Sequence, residues 1–166
     1  MIERVGNRIV TVAERILALG LILAILLDFA NVLGRYTGAF SVLGIDEVEI
    51  YILIWIAFVG SAAVTWRSLH LRMDVFVEAC PLPVKRVIVT IEMAVMFAVT
   101  AFVGTQSYAY VAKIVALGAV SDIAGIPMWI PHSAVCIGFF AIAAIVLARG
   151  VERLRVVDQV KGEVRP

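Results

Sequence analysis

The chain has 166 residues, 63% of them hydrophobic and 16% charged, with a mean hydropathy of +1.03; ordinary soluble domains are about 45–50% apolar and about 25% charged. The apolar residues gather in four blocks separated by charged connections, which identifies a membrane protein and leaves too little chain for a separate soluble catalytic domain. Fourteen Lys and Arg against 13 Asp and Glu give a net charge of +1, without the basic excess of a nucleic-acid binder, so nucleic acid is not an expected partner.

In chain order, Ile2, Val5, Ile9, Val12 and Ile16 recur at spacings of three and four, with Glu3, Arg4, Asn7, Arg8, Thr11 and Glu14 on the other face. That pattern predicts an amphipathic helix, either lying on the membrane surface or running straight into the first span. Apolar runs long enough to cross a hydrocarbon core of about 30 Å follow at about 16–34, 48–66, 87–112 and 127–149. Barrel strands are about 10 residues of alternating polarity, whereas these runs are apolar on every side. The first run is too long for a signal peptide and lacks a small-x-small cleavage site after it. Between spans two and three, Leu71, Val75, Phe76 and Ala79 beside Arg72, Asp74 and Glu78 predict a short interfacial helix, ended by Pro81 and Pro83. The expected fold is therefore an all-α membrane protein. It has four transmembrane helices, an N-terminal amphipathic helix and a short interfacial helix in one domain (1–155), with a short, charged, fraying tail (156–166).

Twelve of the 14 Lys and Arg fall in the N-terminal tail, the second connection and the C-terminal tail; only Arg35 and Lys113 lie in the other two connections, which hold Asp46, Glu47, Glu49 and Asp122. Basic residues concentrate on the cytoplasmic side, so both termini are expected there. Cys80 would then lie in the reduced cytosol and Cys136 inside the fourth span, and no disulfide is expected.

Asp28, Asn31 and Arg35 stack on one stripe of the first helix. A carboxylate in a span costs about 2.5–3.5 kcal/mol at the bilayer centre, so a polar stripe packed against another helix or subunit is the simplest reading; an ion relay would need acidic companions in other spans. Asp46, Glu47 and Glu49 precede the second span, where acids oppose the positive end of the helix dipole, and Glu47 can reach Arg35 as a salt bridge. Gln106 and Ser107 are expected to hydrogen-bond between helices. His70 and His132 lie at opposite membrane faces, which argues against paired axial ligands for haem, and the Cys and His are too scattered for zinc. No cofactor and no catalysis are expected. The polar run from Arg67 to Asp74 reads equally as an interfacial anchor with Trp66 or as a hydrogen-bonded corner between two helices, and Trp129, between Pro127 and Pro131, as an interface anchor.

Taken in order, Asn31-Val32-Leu33-Gly34-Arg35-Tyr36, then Asp46-Glu47 with Tyr51, Trp55, Phe58 and Gly60, then Arg67, His70, Arg72 and Asp74, and finally Ile126-Pro127-Met128-Trp129 resemble the small membrane subunit of tripartite ATP-independent periplasmic (TRAP) transporters, the DctQ-like family. The resemblance covers about residues 8–150 and is most specific from Glu47 to Asp74; Ile45 departs from the Trp frequent there in relatives. It implies a sodium-driven importer of small organic anions in the bacterial inner membrane. Its parts are an extracytoplasmic solute-binding protein, a large multispan subunit with the transport path, and this small subunit as a scaffold that binds no substrate itself. The rival reading is a self-sufficient four-helix proton-coupled exporter acting as a dimer. Such an exporter needs an acid central in its first span, whereas Asp28 is 13th of the 18 residues from Ile16 to Leu33.

Overall fold

The amphipathic stretch and the first apolar run form one unbroken helix, α1 (Ile2–Thr37). A computed structural model of the chain describes residues 2–38, 40, 42–67 and 80–163, by backbone alone at 2, 82 and 151–163. No proline interrupts α1, and its 36 residues extend about 54 Å at about 1.5 Å each, against a hydrocarbon core of about 30 Å. Of the two arrangements open for the N-terminal stretch, the helix takes the one that runs straight into the span and projects beyond it.

Helix α2 (Ile45–Trp66) begins after Gly44 with Asp46 and Glu47 in its first turn. Helix α3 (Leu82–Leu117) has Pro83 in its first turn, where a missing backbone N–H costs nothing. Helix α4 (Trp129–Glu163) places Pro131 likewise, with its ring fully buried. Both later helices outrun their apolar cores. In particular, α4 stays helical to Glu163 where a frayed tail was expected, because no Gly or Pro occurs between Gly150 and Gly162 to end it. Each helix contains a window apolar enough to cross a membrane, and the chain is an all-α protein of four spans. The interfacial helix expected at 71–79 lies outside the described residues.

Among the described residues the helix backbones pack as neighbours: α1 on α2, α2 on α4, and α4 on α3. Across the membrane the order is α1, α2, α4, α3, an open row instead of a closed ring. The spanning window of α4, which packs on two neighbours, is 33% buried, that of α1 is 11% and those of α2 and α3 are 17% each. Gly138 explains why α4 can lie so close to α2: a Cβ there would stand 2.7 Å from the Phe58 carbonyl oxygen and 2.9 Å from its Cβ. Around that approach, Ala62, Ile142 and Val146 form the buried core with Met96 and Phe97 against it, and the Phe58 and Phe139 rings sit 5.8 Å apart.

Hydroxyls within the spans bond to their own helix. Ser61 donates to the Ala57 carbonyl at 2.7 Å and Thr100 to that of Met96 at 2.7 Å. Gln106 and Ser107 depart from expectation, since neither makes an interhelical hydrogen bond among the described residues. The reason is position: among the described residues α3 is an edge helix packed on α4 alone, and Gln106 is exposed. Cohesion at membrane depth comes from small and apolar side chains.

Candidate functional site

The α1–α2 and α3–α4 connections share one end of the row, and the two chain termini share the other. At the loop end Glu47, in the first turn of α2 and ahead of the apolar run expected to span at 48–66, reaches across to the α3–α4 connection. Its carboxylate accepts the backbone N–H of Ala124 at 2.8 Å and of Ile123 at 3.3 Å. That connection is itself braced: Ser121 N–H donates to the Ile126 carbonyl at 2.8 Å, Ile126 N–H to Ser121 Oγ at 3.1 Å, and Met128 N–H to the Ala119 carbonyl at 3.0 Å. The Ala124 N–H, then the Ser121 hydroxyl, then the Ile123 N–H hold the Glu47 carboxyl below the usual Glu range. Gly44 makes the approach possible, with φ +92° and a would-be Cβ 3.1 Å from the Ala124 Cα. The salt bridge expected from Glu47 to Arg35 is absent, because the carboxylate is occupied by backbone amides; Arg35 is exposed and makes no ion pair among the described residues. Of its stripe, Asn31 is buried and accepts the Val42 N–H at 3.2 Å, fastening the α1–α2 connection. Asp28 is half-buried with no hydrogen bond or ion pair among the described residues. Among the described residues the three therefore share no partner on this chain.

At the terminal end the projecting turns of α1 are latched to α2 and α4. Arg67 donates from Nε and Nη2 to the two Glu14 carboxylate oxygens, each at 2.5 Å, and from Nη2 to Thr11 Oγ1 at 3.4 Å. These hydrogen bonds, and the guanidinium charge behind them, hold the Glu14 carboxyl below its ordinary range. Trp66 donates from Nε1 to Asn7 Oδ1 at 2.8 Å, and its ring lies over Gly6, where a Cβ would overlap it. The Arg149 guanidinium of α4 lies over that ring at 4.9 Å, donates to the Trp66 carbonyl, and stands 3.9 Å from Glu3. Arg67 thus sits in a hydrogen-bonded corner, while His70, Arg72 and Asp74 lie outside the described residues.

Between these ends an open apolar groove of about 360 Å³ runs along α1 and α2, walled by Leu17 and Gly20 on one side, by Tyr51, Ile52 and Trp55 on the other, and closed at the loop end by Ile126 and Ile130. Its composition suits acyl chains or apolar side chains. Gly60 lies nearby, a would-be Cβ meeting Leu17 at an ordinary 3.9 Å. Pro127 forms an isolated bridge with Val120, and Trp129 opens α4 with 44% of its surface exposed. His132 meets the Tyr110 ring edge-on at 5.0 Å. Among the described residues no three His, Cys, Asp or Glu side chains are grouped to hold a metal ion.

Sequence reasoning paired neither Glu47 with Ala124 nor Arg67 with Glu14, and it missed Gly6, Asn7, Gly44 and Arg149. The one available signal was charge at matching depth: Glu14 just before the first span and Arg67 just after the second.

The family model for the DctQ component of tripartite ATP-independent periplasmic transporters matches residues 21–156. The chain is 29% identical over 124 residues to the ectoine TRAP transporter small permease protein TeaB of Halomonas elongata, covering 75% of this chain and 64% of that one. It is 25% identical over 108 residues to the C4-dicarboxylate TRAP transporter small permease protein DctQ of Vibrio cholerae, covering 64% and 47%. The matched part is thus less than two thirds of either relative's length.

Proposed function

This chain belongs to the family of DctQ components of tripartite ATP-independent periplasmic transporters, and from that premise we propose that it is the small scaffold subunit of a sodium-driven importer of small organic anions. It packs beside a large multispan subunit that holds the transport path, and an extracytoplasmic solute-binding protein delivers the solute.

The observation that carries this reading is the open row of helices. A self-contained bundle would close on itself and cover its polar groups. Here α1 and α3 are uncovered edges, the groove beside Tyr51 and Trp55 is apolar and open, and Asp28 and Gln106 have no hydrogen-bond partner on this chain among the described residues. An unsatisfied polar group in hydrocarbon costs several kcal/mol, so a second protein that supplies partners and apolar cover stabilises the row. The apolar groove offers nothing to orient a charged solute. Solute selection then belongs to the other subunits, in keeping with similarity to small permeases named for ectoine and for C4-dicarboxylate. The Lys and Arg concentrated at the terminal end support a cytoplasmic location for both termini in a bacterial inner membrane.

The test is the double substitution Tyr51→Ala, Trp55→Ala in the co-expressed transporter. Recovery of the large subunit with this chain should fall sharply while helix content and solute affinity of the binding protein are unchanged. Full recovery of the complex with an altered sodium dependence of uptake would contradict a scaffold role.

A further inference from the structure

The projecting turns of α1 carry a second surface, bordering the latch at Asn7 and Thr11. At about 100° per residue, Arg4, Arg8 and Arg15 fall within about 40° of one another around the helix. All three are exposed, and none makes a hydrogen bond or ion pair among the described residues, whereas Arg67 and Arg149 on the latch side are paired with Glu14 and Glu3. The stripe lines a concave surface together with Asn7, Thr11 and Val12. Beside it run Val5, Ile9, Val12 and Ile16, between 52% and 64% exposed. Three unpaired cations flanked by an uncovered apolar strip, starting where the span ends, form a surface complementary to a ligand that is anionic at one end and apolar at the other.

From this we infer that the α1 projection binds an anionic phospholipid of the adjoining leaflet, its phosphodiester held between Arg8 and Arg15. The two residues are about 10 Å apart along the axis, seven residues at about 1.5 Å each. Long arginine side chains can reach toward one another along the helix, so both guanidinium groups can meet a phosphate midway. That midpoint lies about 7 Å beyond Ile16, within reach of the headgroup layer in a bilayer about 40–45 Å thick overall. Thr11 lies between them in sequence at the latch-side edge of the stripe, its Oγ1 already accepting from Arg67, and Arg4 lies one turn further out. Guanidinium is well matched to phosphate because its planar donors can bond two oxygens at once. The acyl chains descend past Val12 and Ile16. The inference needs only that α1 spans the membrane and is independent of the subunit that covers the groove.

The experiment is native mass spectrometry of the full chain purified with its co-expressed partner, titrated with phosphatidylglycerol or phosphatidylcholine. The wild type should retain phosphatidylglycerol preferentially. Arg8→Gln, Arg15→Gln should weaken that binding roughly 30-fold, the effect of two charges each of the strength usual for a basic residue near an anionic leaflet. Arg8→Lys, Arg15→Lys should keep most of it, and Arg35→Gln at the loop end should leave it unchanged. Equal retention of both lipids, or unchanged binding in the double Gln variant, overturns the inference. Displacement of the lipid by inorganic phosphate would mark a soluble-anion site instead. Loss of the partner subunit from the double Gln variant with lipid binding intact would mark contact with an acidic protein segment, and either result also overturns it.

Discussion

Replacing Gly138 by Ala tests the closeness of α4 to α2 on which the row depends. The added methyl would lie 2.7 Å from the Phe58 carbonyl oxygen, 2.9 Å from its Cβ and 3.0 Å from its carbonyl carbon. Ordinary contact begins at 3.4 Å, so the helices must part by about 0.7 Å against main chain that cannot swing aside as a side-chain tip could. Overpacking of this kind costs about 1–3 kcal/mol. Gly20→Ala and Gly60→Ala are internal references, because their methyls meet Ile52 at 3.7 Å and Leu17 at 3.9 Å, both ordinary contacts. The gain in helix propensity, about 1 kcal/mol from Gly to Ala, is common to all three and cancels on comparison. Unfolding in mixed micelles titrated with SDS, followed by circular dichroism, should therefore find Gly138→Ala less stable than either reference by about 1–3 kcal/mol. Gly138→Ala equal to or more stable than Gly20→Ala would refute the close approach.

The Glu47 carboxyl is held below its usual range, so the stability it contributes is present above the ordinary Glu value and lost as pH falls through the lowered folded value. Amide exchange at Ile123 and Ala124, corrected for its intrinsic pH dependence, should speed up on acidification in the wild type and be fast at all pH values in Glu47→Gln. Gly6→Val should push the Trp66 ring off α1 and break its bond to Asn7, seen as faster exchange over residues 3–14 with the spans still protected. Arg67→Gln alone should change global stability little, since an exposed ion pair contributes at most about 1 kcal/mol, yet should loosen the same residues; a large loss of global stability would contradict a local latch. For orientation, a Cys introduced at Asp122 should react with an impermeant reagent added from outside, and native Cys80 should not; the reverse labelling would invert the topology.

The four spans and the amphipathic helix before the first were legible in the sequence because hydropathy and amphipathic spacing are local properties. Spacing alone leaves open the continuity of that helix with the span, which came from the fold. The order of the row was not legible either. Gly20, Gly60, Gly104 and Gly138 look alike in sequence, and only the fold places the Phe58 main chain against Gly138. The clamp at Glu47 was half legible: an acid in the first turn of a helix signals a favourable dipole, but its partners are backbone amides of Ile123 and Ala124, which no side-chain pattern announces. Arg35 offered a simpler partner by charge and sits elsewhere. Trp66 was readable as an interface anchor, yet Gly6, Asn7 and Arg149 take it into a contact joining three helices. Gln106 shows the same limit, since a polar residue in a span implies a partner without saying whether this chain or another supplies it.

The most direct test of the scaffold role is the mass of the complex recovered when the full chain is purified in mild detergent after co-expression with the large membrane protein of the same transporter. A stable one-to-one complex with that multispan subunit is the predicted result. Recovery of this chain alone as a homodimer, with the large protein absent, would contradict it and make Asp28 the residue to titrate in a proton-coupled exporter.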